Sequence, residues 1–201
     1  MSPTAEAELR VWPVRQILRA QTHEPHERLE RVPLLAELSS GSITLPRYRR
    51  YLERMHAFHA AVDGALRGRL PPAYAAARLN QVARLASDLH ALDTPAVPAP
   101  QTLRRAADAL APSPADVWGV LYVLEGAKLG SQVLLRRNAA NAAVCRARAY
   151  IEGEGDRTGA VWRDFCLVLE DGAALCDRQA LPAAANRTFA LLGNWLEDSH
   201  D

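Results

Sequence analysis

SPADVWGVLYVLEGAKLGSQVLLRR, residues 113–137, is the longest and most apolar helical pattern in the chain. Ser113 suits an N-cap, because its hydroxyl can accept from a backbone N–H that the first turn leaves free. Pro114 fits the next position, where a missing N–H costs nothing. Arg136 and Arg137 put positive charge at the negative end of the helix dipole. Gly119, Gly126 and Gly130 interrupt the pattern, at roughly 0.5–1 kcal/mol each relative to Ala. Their spacings of seven and four place all three on one stripe, which Ala127 and Ser131 widen. A buried helix with one face stripped of side chains calls for a flat or closely approaching partner, either another helix or a planar ligand.

Outward from this helix the other patterns are helical too. Towards the N-terminus, a pattern from Val14 to Arg31 is interrupted by Pro25, which either kinks it or forces a restart with Thr22 as cap. VPLLAELSSGSI reads as a loop with a short apolar turn. Thr44 caps a long amphipathic helix on which Leu45, Tyr48, Leu52, Met55, His59, Val62 and Leu66 share one face. RLPPAY breaks the chain, a helix follows from Ala73 to Leu92, DTPAVPAP is a loop, and a short helix covers Gln101 to Leu110. Beyond residue 137 the pattern weakens over Asn138–Cys145, and EGEGDRTG is a glycine-rich acidic loop. Helices then run from Gly159 to Leu175 and from Asp177 to Glu197. No internal repeat and no strand-like alternation is visible. The expectation is an all-α, single-domain bundle of some seven helices over residues 1–201, with 1–12 and 198–201 flexible.

Composition narrows the function classes. A chain of 201 residues can bury a substantial core as one domain. A net charge of +1 supplies no bulk field for nucleic acid or an anionic membrane. The apolar runs fall short of the ~18 residues that span a bilayer, and MSPTAEAELR lacks the apolar stretch of a secretory signal. Cys145, Cys166 and Cys176 are scattered and odd in number, which reads as reduced thiols filling the core of a cytoplasmic protein.

Six histidines are present. His200 is terminal. His56 and His59, three apart, could hold a metal, but no carboxylate at an obvious helical spacing completes a site, so both read as structural, as does His90. His26 differs. In LRAQTHEPHERLE, Arg19, Thr22, His26 and Glu30 share one helical face. Glu30 could accept from one ring nitrogen of His26, an arrangement that fixes the tautomer of a metal-bound histidine and raises its basicity. Arg19 could meet a negative group on a ligand. Alone, a solvated His–Glu pair explains this face equally well. Set against the bare glycine face, it suggests a planar cofactor between two helices: haem, ligated by one histidine, its other axial position free for O₂.

At these residues the sequence resembles the haem oxygenase family, especially the short bacterial members that supply biliverdin to bacteriophytochromes. The matching segments are LRAQTHEPHERLE and LYVLEGAKLGSQVLLRR, about a hundred residues apart, with YLERMHAFHAAVDGAL and TGAVWRDFCLVLE in the places of a second and a late helix. The resemblance implies a haem-oxygenase-like bundle in which haem is substrate and cofactor. It implies oxidation to biliverdin with release of CO and ferrous iron, using O₂ and an external reductant such as ferredoxin or a flavoprotein reductase, with a bacteriophytochrome as consumer. By the same resemblance His26, not His23, is the iron ligand, Glu30 its supporting carboxylate, and Gly126 and Gly130 the wall over the haem. Arg19 and Arg163 match basic positions near the propionates. Ser131 stands where the family has a second glycine, Ala127 where some members have an aspartate, and Lys128 is an unusual charge that could face solvent or a propionate. The rivals are a haem-trafficking protein on the same fold, a di-iron or thiaminase-like chemistry, and a helical interaction protein.

Overall fold

The computed structural model describes residues 13–197, and among them it is built of α-helices with two short 3-10 turns. The expectations for residues 1–12, 198–201 and His200 lie outside the described residues. The helices are α1 (Pro13–Gln21), α2 (His23–Glu30), α3 (Pro33–Ser40), α4 (Leu45–Leu66), α5 (Gln81–Ala91), α6 (Gln101–Asp108), α7 (Pro114–Arg137), α8 (Ala142–Arg146), α9 (Ala149–Glu152), α10 (Thr158–Ala173) and α11 (Ala180–Glu197). The all-α reading holds, with more and shorter helices than the seven expected. The N-terminal pattern restarts at Thr22, which sits between α1 and α2, and Pro25 falls in the first turn of α2, where its missing N–H would have had no acceptor. The segment read as a loop before residue 43 is the helix α3: Pro33 opens it, and Gly41 closes it in the left-handed region at φ +77°. Residues 73–92 yield only a 3-10 turn at Ala76–Arg78 before α5.

The bundle packs around α7. Its N-terminus carries a capping box: Asp116 N donates to Ser113 Oγ at 3.3 Å, and Ser113 N donates to Asp116 Oδ2 at 3.1 Å. Arg187 of α11 donates to the other Asp116 oxygen at 2.6 Å, which fixes α11 against this end. The C-terminus is tied as well. Asn138 Nδ2 donates to Leu38 O of α3 at 2.7 Å and Arg137 donates to Ser39 O at 3.0 Å. Between these anchors α7 packs on α11, α10, α9 and α3, while α4 packs on α5 and α6. One hydrophobic core runs from Val14 in α1 to Leu196 in α11.

The three cysteines do not share the core role expected of them. Cys166 is buried, with its thiol pushed up to about 11 by burial, but Cys176 is half-buried and Cys145 exposed.

Candidate functional site

A helix N-terminus leaves its first N–H groups free, and α1 has no side-chain cap of its own from the residues described. Glu170 of α10 supplies the anion: its carboxylate accepts from Val14 N at 3.0 Å and Arg15 N at 3.2 Å. This contact holds α1 beside α10 and aims Arg15 and Arg19, four apart on one helical face, at a cleft. Thr22 is buried, its hydroxyl donating to Leu18 O at 2.7 Å, and the chain turns there into α2.

The cleft is a slot of about 540 Å³ between α1 and α2 on one side and α7 on the other. Arg15, Arg19, His23, His26 and Glu30 face Gly126, Ala127 and Gly130 across it. Trp162 of α10 and Phe189 of α11 close its sides. The slot therefore brings together five of the six residues singled out in the sequence: Arg19, His26, Glu30, Gly126 and Gly130. The sixth, Arg163, is exposed on α10 and does not line the slot, although its neighbour Trp162 does.

The two candidate histidines are distinguished by what holds them. His26 Nδ1 lies 3.6 Å from Glu30 Oε1, and its ring meets Phe189 edge-on at 5.7 Å between centroids. Nδ1 is thus the nitrogen turned to the carboxylate, which leaves Nε2 for a ligand. His23 is more exposed and turns its own Nε2 to Glu27 at 3.3 Å, so that nitrogen is occupied.

Opposite His26, the two slot glycines differ. A Cβ on Gly130 would meet nothing within 4 Å, so that part of the wall is open backbone. A Cβ on Gly126 would lie 3.7 Å from the six-membered ring of Trp162, so Gly126 is a seat for the indole as well as a piece of wall. Gly119 is a different case: a Cβ there would come within 2.4 Å of Leu181 O on α11, so this glycine serves helix packing.

Lys128 faces neither solvent nor the slot. It is buried behind the wall, where its Nζ donates to Glu125 Oε1 at 2.8 Å and to Arg78 O at 3.3 Å. Three- and four-residue spacings put side chains on one helix face, and Glu125 on the same helix captures the ammonium before it can reach outward. Tyr74 donates to the same Glu125 oxygen at 2.7 Å, and Arg78 lies 3.5 Å from the other. Glu125 is thereby committed to an ion-pair cluster. Among the described residues no group of three or more His, Cys, Asp and Glu is placed to hold a metal ion. Beside this cluster His59 pairs with the Tyr150 hydroxyl at 3.1 Å. Burial pushes its pKa down to about 3, assisted by the charges of Lys128 and His56. A chamber about the size of one water lies between His59, Gln81, Lys128 and Tyr150. Ala127 lines both it and the slot.

Sequence reasoning missed Arg15, Trp162 and Phe189. Arg15 had a local signal, since it precedes Arg19 by four. The aromatics had none, because α10 and α11 bring them in from far along the chain.

A largely apolar slot with a histidine whose Nε2 is free on one wall and bare helix backbone on the other fits a planar metal-bearing macrocycle. The family model for haem oxygenase matches residues 13–198. The chain belongs to the haem oxygenase family. Haem oxygenase PigA of Pseudomonas aeruginosa is 31% identical over 196 residues, covering 91% of this chain and 93% of its own. A haem oxygenase from Xanthomonas campestris pv. campestris is also 31% identical, over 166 residues, covering 80% and 89%. The solved haem oxygenase structure from Leptospira interrogans superposes with a TM-score of 0.76, at 18% identity, covering 92% of this chain and 98% of that one. That likeness carries the fold. As a haem oxygenase, the protein is an enzyme with haem as its substrate. No described helix is long and apolar enough to cross a membrane.

Proposed function

We propose that this haem oxygenase binds haem in the slot between α2 and α7, with His26 Nε2 as the iron ligand. One observation carries the reading: His26 and the open backbone at Gly130, a hundred residues apart in sequence, line one cavity of a size suited to a flat macrocycle. Glu30, beside Nδ1, orients the imidazole and strengthens it as a donor. Arg15 and Arg19 take the propionates, and the apolar side chains of Leu29, Phe189 and Leu192 cover the ring. Arg163 lies off the slot, and Arg15 replaces it in this assignment. The single domain proposed for residues 1–201 is supported by the one core that joins α1 to α11.

Bound haem supplies its own redox chemistry, by which O₂ and external electrons convert it to biliverdin, CO and ferrous iron. The chain's residues do the positioning. Backbone at Gly126 and Gly130 lets the ring approach α7 closely, where a side chain would hold it off. The chamber behind Ala127 has room for a water and polar groups to hold it, so a proton donor can stand behind the wall without a side chain entering the slot. Lys128, Tyr74 and Arg78 balance the buried Glu125 carboxylate behind the wall. The remaining partners of the proposal, a ferredoxin or flavoprotein reductase as donor, a bacteriophytochrome as consumer and a cytoplasmic setting, rest on the family resemblance.

His26→Ala tests the reading. The variant should fold as the parent does, since His26 is exposed and its one core contact is the edge of Phe189. It should lose the absorption spectrum of histidine-ligated haem and lose turnover to biliverdin. Retention of both would remove His26 as ligand.

A further inference from the structure

The slot is lined differently along the length of α7. Along α7, Tyr122 and Gly126 are one turn apart, and Gly130 follows about 6 Å further along the helix axis. At Gly130 the wall is bare. At the Tyr122–Gly126 end stands the indole of Trp162, and it is held on three sides. Tyr122 lies against it at 5.8 Å between centroids, Phe165 at 5.6 Å, and Gly126 faces its six-membered ring, where a Cβ would lie 3.7 Å away. Phe165 is fully buried, and the carbonyl of the adjacent Val161 accepts from Arg78 at 3.3 Å, so the base of the indole is tied to the core.

Haem is nearly four-fold symmetric in its ring and asymmetric at its rim. A slot that only sandwiches it would accept several in-plane rotations, each presenting a different meso carbon to the same point of the wall. Arg15 and Arg19 select among rotations by charge, but their long flexible side chains follow a carboxylate over several ångströms. A rigid ring edge selects by shape, because a rim substituent either fits beside it or does not.

We propose that Trp162 is the end-stop that fixes the in-plane rotation of haem in the slot, and thereby the meso carbon that is cleaved. This rests on the slot being the haem site. The indole determines specificity through contact with the macrocycle rim. It takes no part in proton or electron transfer. Gly126 borders the same device: a Cβ there would lie 3.7 Å from the six-membered ring, at ordinary contact distance.

The test compares the wild-type protein with Trp162→Ala and Trp162→Phe, each loaded with haem. Proton NMR of the ferric cyanide-ligated forms reads the seating before any turnover, because the haem methyl resonances move when the ring rotates against the fixed histidine. Reaction with ascorbate under air, followed by chromatographic separation of the biliverdin isomers, reads the outcome. Trp162→Ala should show a second set of methyl resonances and at least a tenfold change in the isomer ratio. Trp162→Phe, which keeps an aromatic ring on Phe165 but withdraws the far edge of the indole, should show the same change to a smaller degree. If the alanine variant does not take up haem, the phenylalanine variant decides alone. A methyl pattern and isomer ratio equal to wild type, in variants that still convert haem, would overturn the end-stop while leaving the slot assignment intact. Failure of wild-type protein to give a histidine-ligated haem spectrum would instead overturn the slot.

Discussion

The two halves of α7 use the same residue type for opposite ends. In the N-terminal half, every residue from Ala115 to Val120 is buried, and Gly119 lets the α11 backbone come so close that a Cβ would lie 2.4 Å from a carbonyl oxygen. In the C-terminal half, Gly126 and Gly130 line the slot, and around Gly130 nothing approaches within 4 Å. A glycine stripe is therefore two devices joined end to end. The first half spends the missing side chain on packing, the second on a cavity. The difference comes from the neighbours: α11 crosses close over Gly119, while α1 and α2 stand back from Gly130, held there by the Glu170 cap and the turn at Thr22.

Gly119→Val should therefore be the most damaging change to stability in either half. Its side chain has no room against Leu181 O and Ala184, and both are fixed within α11. Overpacking of a rigid contact costs about 3 kcal/mol, and more where main chain cannot move. Thermal or urea unfolding should show the loss without haem present. A variant of unchanged stability would mean that α11 can withdraw from α7, and the contrast between the halves would weaken.

The slot half is backed by the buried Lys128–Glu125 pair and by His59, and His59 makes the fold sensitive to pH. His59, behind the wall, has its pKa depressed to about 3 in the folded protein, chiefly by burial. The unfolded chain takes up that proton near the ordinary histidine value, so His59 stabilises the fold fully above about pH 6.5 and loses this contribution as pH falls towards 3. By about pH 4.5 the loss amounts to roughly 2–3 kcal/mol. Asp63 works in the other direction. Burial raises its pKa to about 6, so its carboxylate destabilises the fold as pH climbs from about 4 to 6. The two offset each other in the wild type, and His59→Gln should separate them. Compared across pH 7 to about 4.5 by denaturant unfolding, the variant should gain about 2 kcal/mol relative to wild type. A constant difference between the two proteins would show that His59 titrates normally.

How much of this was legible in the sequence depends on distance along the chain. The Ser113 cap, the Arg19–Thr22–His26–Glu30 face and the glycine stripe are patterns within one or two turns, and all three could be read directly. The break at Pro25 was legible as a choice between a kink and a restart, and the structure takes the restart. α3 was missed because eight residues between Pro33 and Gly41 are too few to show a helical period, although the two residues that bound it are standard start and stop signals. Lys128 was misplaced although its partner Glu125 stands three residues before it, because the rest of the cluster, Arg78 O on the ammonium and Tyr74 on Glu125, arrives from the segment between α4 and α5. Trp162 and Phe189 were invisible for the same reason. Local chemistry named the two walls of the slot, and only tertiary packing could name its ends.

The smallest expected effect is the sharpest discriminator between the halves. Gly130→Ala adds one methyl group to a helix position where the structure places nothing within 4 Å. Alanine is favoured over glycine inside a helix by roughly 0.5–1 kcal/mol, so the haem-free variant should be more stable than wild type by about that amount. The same methyl projects into the slot, so haem affinity should fall, and a titration followed by the haem absorption band should show it. Opposite signs in the two measurements are what a wall of a cavity requires. At Gly119 the same substitution meets α11 and should lower stability. If Gly130→Ala instead lowers stability as Gly119→Ala does, both halves of α7 are packing surfaces, and the slot closes in solution. If it raises stability and leaves haem affinity untouched, the macrocycle does not reach the last turns of the glycine face and rests on Gly126 and Trp162 alone.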